Sequence, residues 1–346
     1  MSIKTLALTT AAVTALSATS ALARDTVEVS GSSTVYPYAV MSADSFADAH
    51  DFAYPNVESG GSSAGLKKFC AGVGPDTIDI ANASRKIKAK EIKACADNGV
   101  TEIIEVRIGY DGLVFANEAG DNSYDFSPAD WYRALGAQVM VDGALVANSF
   151  TSWSEVNAAF ADTEIRTFIP TKKHGTREVF DKKLILAGCK DTGAYDAFVA
   201  ENGGDAKAAE KSCYTLRDGD HAREIEGGGK DVLDAIRSIN GGIGVVGLAF
   251  YEGNADSLQA AAISGVLPSS DSIATGDYPV SRPLFMYVKK AHIGTVPGLK
   301  EYVQSVLSDE MSGPGGFLTL FGLVSDPAIA DTRSLLDSET VMDLNS

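Results

Sequence analysis

Residues suited to holding an anion recur at four places in this chain: Gly31-Ser32-Ser33-Thr34, Gly60-Gly61-Ser62-Ser63, Gly175-Thr176 and Gly227-Gly228-Gly229. Each is followed by a segment with helical periodicity. A helix start leaves backbone N–H groups unpaired and carries partial positive charge, while small residues let an oxyanion approach and hydroxyls add donors. Taken singly, each run is explained as well by ordinary capping and turn chemistry. Four in one chain, divided between two candidate lobes, point to a cleft that closes on a small oxyanion.

The elements that would carry these runs alternate. Thr26–Ser30 reads as a strand entering Gly31-Ser32-Ser33-Thr34, with a helix over Val35–Ala49. Val57–Ser59 is extended and leads through Ser62-Ser63 to a helix over Ala64–Cys70. Ile78–Ala81 is a strand ending at Ala83-Ser84-Arg85, and Ala89–Asp97 is a helix whose lysines form a solvated face. Ile103–Ile108 continues through Gly109-Tyr110-Asp111-Gly112 into Leu113–Ala116, the first candidate crossing between lobes.

Beyond that crossing, Ser127-Pro128 caps a helix over Ala129–Leu135, with Pro at the first helical position. Thr167–Pro170 is a strand leading through His174-Gly175-Thr176-Arg177 to a helix over Glu178–Ala187, and Gly241–Gly247 is a buried strand. Pro279–Pro283 is the return crossing before a strand over Leu284–Val288. Leu299, Tyr302, Val303, Val306 and Leu307 mark one face of a core-packed closing helix. The reading divides the chain into a leader at 1–23, a first lobe at 24–110 and 283–346, and a second lobe at 111–282.

Lys4, the apolar stretch Leu6–Ala18 and the small residues Ala21-Leu22-Ala23 have the form of a signal peptide cleaved after Ala23, which places the product in a periplasm. The four cysteines, Cys70, Cys95, Cys189 and Cys213, fit two disulfides in an oxidising compartment. Three pairings are possible; the local one, Cys70 with Cys95 and Cys189 with Cys213, keeps each bridge within one lobe. No close Cys-x-x-Cys spacing supports zinc.

The net charge is −17, and loss of residues 1–23 removes only Lys4, leaving 28 basic and 46 acidic residues. That balance excludes a general nucleic-acid binder. It does not exclude an anion site, because long-range repulsion is screened within about 10 Å at moderate salt and local donors decide binding. A secreted phosphatase is the competing enzyme class. Its nucleophile-base pair or metal cluster is not visible in the spacing of His50, His174, His221 and His292, and Asp218-Gly219-Asp220 beside His221 reads as a turn. The expectation is a binding protein without cofactor, not an enzyme.

The order Gly-Ser-Ser-Thr-Val-Tyr-Pro at 31–37, Gly-Ser-Ser-Ala-Gly-Leu-Lys at 61–67, Asp-Ile-Ala-Asn-Ala-Ser-Arg at 79–85, Gly-Tyr-Asp-Gly at 109–112 and His-Gly-Thr-Arg at 174–177 resembles the periplasmic phosphate-binding proteins of Pst-type ABC importers. The likeness extends over nearly all of the mature chain. It implies a type II periplasmic binding protein fold, two α/β lobes joined by two crossing strands, with inorganic phosphate in the cleft and the membrane permease subunits of an ABC importer as partners of a monomer. A binding protein for sulfate or molybdate is the alternative within this class.

Carried over by residue, the resemblance places Thr34 and the Val35 N–H at phosphate from the first helix start, Ser62 and Ser63 at the second, and Gly175 and Thr176 opposite them. Where well-known members carry an Asp that accepts the phosphate proton, this chain has Arg85; they also have Ser at His174 and Arg at Pro170. A related branch with Ser-Arg and Gly-Thr-Arg implies a cationic clamp of Arg85 and Arg177, leaving Asp111 as proton acceptor. A guanidinium offers a fixed fork of donors that matches two oxygens of a tetrahedral anion; pairing of Arg85 with Glu91 is its plain alternative. His174 is a donor, a cover for the cleft or a plain loop histidine, and Gly228 and Gly229 are backbone donors or part of a flexible hinge or of the neighbouring turn.

Overall fold

The computed structural model describes residues 24–172 and 175–344, so the expected signal peptide and His174 lie outside the described residues. Its organising feature is a pair of long antiparallel strands that run from one α/β lobe into the other. The first spans Ile103–Glu118 and the second Ser281–Lys289. Their register sets Asp111 opposite Arg282 and Gly109 opposite Leu284, with an irregularity between Leu284 and Phe285.

In the first lobe, the strand β1 (Glu28–Gly31) pairs in parallel with β2 (Asn56–Ser59) and β3 (Ile80–Ala83), and β3 pairs with the return strand Ser281–Lys289. In the second, Leu113–Ala116 pairs with Ile243–Gly247, which pairs in parallel with Thr167–Pro170 and so reaches Ala222–Ile225. Parallel pairs of this kind are joined by helices on the sheet faces, so the central strands Ile80–Ala83 and Ile243–Gly247 are buried, while the outer strands Asn56–Ser59 and Ala222–Ile225 stay largely exposed. Separate cores result. One packs residues such as Phe115, Trp131, Trp153 and Phe180, and the other two pack Val29, Phe46 and Tyr302 or Leu66, Phe69 and Tyr287.

Helix α1 (Tyr36–Ala49) buries Tyr38, Ala39, Ser42, Ala43 and Phe46, the stripe expected of a helix on a sheet, and Tyr302 donates its hydroxyl to the Ala39 carbonyl at 2.9 Å. Tyr302 belongs to the closing helix Leu299–Val306, whose predicted face is buried as expected. Helix α2 (Ser62–Phe69) begins two residues earlier than its apolar pattern indicates. It lies so close to β1 that a Cβ on Gly65 would stand 2.4 Å from the Gly31 Cα. Only glycine permits that approach, and it sets the start of α2 against the end of β1, where the Gly60 and Gly61 N–H groups donate to the Gly31 carbonyl at 2.9 and 2.7 Å.

In the second lobe, Ser127 caps the helix Pro128–Leu135 by accepting from the Asp130 N–H at 3.2 Å, while the Asp130 carboxylate accepts from the Ser127 N–H at 2.8 Å. Trp131 on that helix packs against Phe115 of the crossing strand, ring centroids 4.8 Å apart, and against Phe180 at 5.6 Å. Phe180 ends the helix Gly175–Phe180, so the aromatic core fixes the element that carries Gly175. The single helix expected over Glu178–Ala187 is instead α-helical to Phe180, π-helical over Asp181–Leu186 and α-helical again over Ala187–Asp191.

Both disulfides take the local pairing, Cys70–Cys95 and Cys189–Cys213. The first joins the end of α2 to α3 (Ala89–Asp97); the second joins the end of the Gly175 helical segment to the helix Ala206–Cys213. Each bridge thus pins the far end of a helix whose start faces the other lobe. With sequence separations of 25 and 24 residues, replacing either pair by Ala is expected to cost on the order of 3 kcal/mol in unfolding free energy. Denaturant titration measures the loss, and hydrogen exchange should rise first in α2 for the Cys70/Cys95 pair. Equal exchange throughout the first lobe would show that the bridge does not restrain α2.

Candidate functional site

Between the lobes lies a cleft of about 750 Å³, lined from the first lobe by residues 60–64, 84–86 and 88, from the second by Glu178, Val179, Lys182 and Lys183, and from the return strand by Ser281, Arg282 and Pro283. Its deepest cation is Arg282. The guanidinium donates to the Thr34 hydroxyl and, at 3.1 Å, to the Ser84 Oγ of the first lobe. It also donates to the Gly175 carbonyl at 2.8 Å and to Glu178 at 3.5 Å in the second lobe. Its Nε lies 3.4 Å from Asp111 Oδ2 on the neighbouring strand. One side chain therefore touches both lobes and the crossing between them.

Asp111 is only 4% exposed. Burial pushes its carboxyl above the ordinary range, and the Arg282 charge and hydrogen bond draw it part of the way back. Tyr38 is held well above its ordinary value by burial, with the Asp111 charge adding to the shift. At Glu178, burial works to raise the carboxyl, but Lys182 and Arg282 together outweigh it and hold it low.

The first helix start is already partly satisfied from within. Ser32 Oγ accepts from the N–H groups of Thr34 at 3.2 Å and Val35 at 3.4 Å, so an anion drawing on either must compete with that hydroxyl. Thr34 presents its hydroxyl toward Arg282, and the Val35 side chain is in the core. The second start is more open: the Ser62 and Ser63 N–H groups lie in the first turn of α2, where no intrahelical acceptor exists. Ser62 Oγ accepts from the Ser84 N–H at 3.1 Å, and Ser63 Oγ accepts from Arg85 at 2.9 Å.

Arg85 lines the cleft yet is held by Glu91, which accepts from both of its terminal nitrogens at 2.9 and 2.8 Å. Burial works to raise the Glu91 carboxyl, and the bonds from Arg85 and the Lys88 N–H bring it below the usual value. Pairing with Glu91, the plainer reading of the sequence, is thus realised, with the guanidinium still at the cleft wall.

Gly175 sits against Thr34 so closely that a Cβ there would be 2.3 Å from the Thr34 Oγ1, and Thr176 follows it in the first turn of the same helix. Arg177 is a correction. It is 2% exposed and faces away from the cleft, donating to Asp181 at 2.7 Å, Glu224 at 2.5 Å and the Pro170 carbonyl at 3.1 Å. Helix phase explains this: Gly175, Glu178, Val179 and Lys182 fall on one face, and residue 177 falls opposite. Gly228 and Gly229 are likewise not brought to the cleft. The Gly228 N–H is taken by Asp231 at 2.9 Å, and Gly229 abuts the Phe250 ring.

Arg282 is the residue that reading the sequence overlooks, because Pro279–Pro283 registers there only as a backbone crossing. A charged residue between Ser281 and Pro283 in an otherwise apolar run was the available signal. Beside the Asp218-Gly219-Asp220 turn, Asp220 pairs with Arg166 at 2.8 Å and His221 Nδ1 lies 2.9 Å from the Ile165 carbonyl. Among the described residues no cluster of three or more His, Cys, Asp or Glu is placed to hold a metal ion. Nor, among them, is any helix long and apolar enough to cross a membrane.

Protein SphX of Synechocystis sp. is 27% identical to this chain over 290 residues, covering 82% of this chain and 74% of that one. The phosphate-binding protein PstS of Staphylococcus aureus is 25% identical over 320 residues, covering 90% and 84%. A solved structure described as a possible phosphate binding protein from Planctomyces limnophilus matches with a TM-score of 0.68 at 23% identity, covering 92% of this chain and 99% of that one. At that identity the likeness bears on fold, and together with the lobes and crossings it makes this a type II periplasmic binding protein fold. A family model for a PBP superfamily domain matches residues 16–310, and with most of its length matched the chain belongs to that superfamily.

Proposed function

We propose that this protein captures inorganic phosphate between its lobes outside the cytoplasm and delivers it to the membrane subunits of an ABC importer. The observation that carries the reading is the deep end of the cleft, where Arg282, the hydroxyls of Thr34, Ser62, Ser63 and Ser84 and the open N–H groups at the start of α2 converge. Such a set is rich in donors and contains a single buried carboxylate, Asp111, although the five Arg282 N–H groups are engaged within the protein and an anion takes them over from those acceptors. Charge-assisted bonds in a desolvated cleft are about twice as strong as neutral ones, so one guanidinium with several hydroxyls suffices to hold a small oxyanion on an acidic protein. The names of the PstS relatives agree with this ligand.

In this reading Arg282 takes the clamp role that the sequence assigned to Arg177, and Arg85 contributes from the cleft wall with part of its charge spent on Glu91. Thr34, Ser62, Ser63 and Gly175 contact the ligand, Thr176 adds a hydroxyl, and the Val35 N–H joins where the anion displaces Ser32. Asp111 serves as acceptor for the proton of hydrogen phosphate. Sulfate has no proton to give, so a buried carboxylate facing it would meet an anion with no hydrogen between them.

Removing one partner of a desolvated charge pair typically costs about 2–5 kcal/mol, so Arg282→Ala should weaken phosphate binding roughly 30-fold or more in calorimetric titration. Arg177→Ala should behave differently. It orphans Asp181 and Glu224, and with Glu224 42% exposed the stability loss is on the order of 2 kcal/mol, below that of a fully buried pair. Phosphate affinity of the folded Arg177→Ala protein should stay within about threefold of the parent. The reverse pattern would return the clamp to Arg177.

Asp111→Asn keeps the size of the side chain and removes its charge. If Asp111 accepts the phosphate proton, this variant must gain sulfate affinity relative to phosphate, read by titrating each anion into ligand-stripped protein. Equal weakening of both anions would make Asp111 an orienting partner of Arg282 and place discrimination elsewhere.

A further inference from the structure

The cleft has a closed end and an open one, and they are lined differently. At the closed end Thr34 and Gly175 are in contact, with Arg282 bonded to both. The free volume of about 750 Å³ is lined by Arg282, Ser84, Ser62 and Ser63 and by Lys86 and Lys88 of the first lobe and Lys183 of the second, three exposed lysines that mark its solvent-facing mouth. Cavities of about 300–1,000 Å³ suit ligands well beyond a single tetrahedral anion. An orthophosphate on the inner donors leaves the mouth unfilled.

Among the described residues, the lysines at that mouth are not held in ion pairs. Arg85 is offset by Glu91, and Glu178 by Lys182 at 2.5 Å. Lys86 and Lys183 have no carboxylate partner among the described residues, Lys88 makes no ion pair although its charge helps to hold the Glu91 carboxyl low, and apart from Asp111 at the deep end the acidic side chain lining the cavity is Glu178. In a chain of net charge −17, this is a local field of the opposite sign. Lysine ammonium groups on flexible stems suit a mobile terminal anion, whereas the inner guanidinium fork suits a fixed one.

We propose that the cleft takes a condensed phosphate, inorganic diphosphate being the simplest, with one phosphoryl group on the inner donors and the next at Lys86, Lys88 and Lys183. The inference rests on the phosphate reading of the inner site. Because the lysines come from both lobes, a diphosphate bridging them adds attraction across the mouth that orthophosphate cannot supply. Each ammonium is exposed and contributes modestly, so the effect is read with all three removed.

The experiment titrates orthophosphate and diphosphate, separately and in competition, into ligand-stripped protein in metal-free buffer at physiological ionic strength. The parent is compared with the triple variant Lys86→Ala/Lys88→Ala/Lys183→Ala and with Arg282→Ala. Diphosphate should displace orthophosphate; the triple variant should lose about tenfold in diphosphate affinity and less than about twofold in orthophosphate affinity, while Arg282→Ala weakens both. Failure of diphosphate to displace orthophosphate, or equal losses for both anions in the triple variant, overturns the inference and leaves the phosphate reading standing. Absence of binding by either anion to the parent overturns both.

Discussion

A guanidinium only 10% exposed must be given acceptors, and in this protein that requirement of Arg282 ties the two lobes together. Taking Arg282 out of water costs several kcal/mol unless hydrogen bonds and opposite charge replace its hydration. The acceptors that do so come from three places: Thr34 and Ser84 in the first lobe, Gly175 and Glu178 in the second, and Asp111 on the adjacent crossing strand. Strand register makes this possible by setting residues 111 and 282 directly opposite each other. In the phosphate reading, an anion entering the cleft would meet a cation whose position is fixed before it arrives, so that little of its binding energy would go into ordering the protein.

That local arrangement decides against the charge of the whole molecule. A net charge of −17 repels anions at a distance, but screening confines that repulsion to about 10 Å at moderate salt. Within the cleft the nearest charges are those of Arg282, Arg85 and the mouth lysines. The carboxylates close to them are engaged: Glu91 by Arg85, Glu178 by Lys182. Surface acidity and a basic cleft are therefore compatible, and the acidity elsewhere disfavours nonspecific adhesion to other polyanions.

What could be read from the sequence was what is encoded locally. Gly31-Ser32-Ser33-Thr34 and Gly61-Ser62-Ser63 announce helix starts because capping and tight approach depend on a few neighbouring residues, and Ser127-Pro128 does the same for its helix. The exchange of Arg177 for Arg282 has the opposite origin. Whether Arg177 faces the cleft depends on the rotational phase of its helix, which Trp131 and Phe115 set by packing on Phe180. Whether Arg282 faces it depends on strand register across more than 150 residues of intervening chain. The engagement of the Val35 N–H by Ser32 and the π-helical turn after Phe180 were hidden for a related reason: both are competitions between nearly equivalent hydrogen-bond patterns that composition does not resolve.

The disulfides complete the mechanical logic of the cleft. Cys70 and Cys189 lie downstream of the two helix starts that face one another, and each is bonded to a cysteine of its own lobe. The helices are fixed at their far ends by a covalent bond and along their sides by core packing, so their starts cannot shift independently of the lobes that carry them. Relative movement then costs least where the lobes are joined by the crossing strands, near Gly109–Gly112 and Ser281–Leu284. Arg282 and Asp111 belong to that same short segment. In the phosphate reading proposed above, the residues nearest the anion would thus belong to the segment that joins the lobes, so that occupancy of a small site would bias the disposition of two much larger bodies.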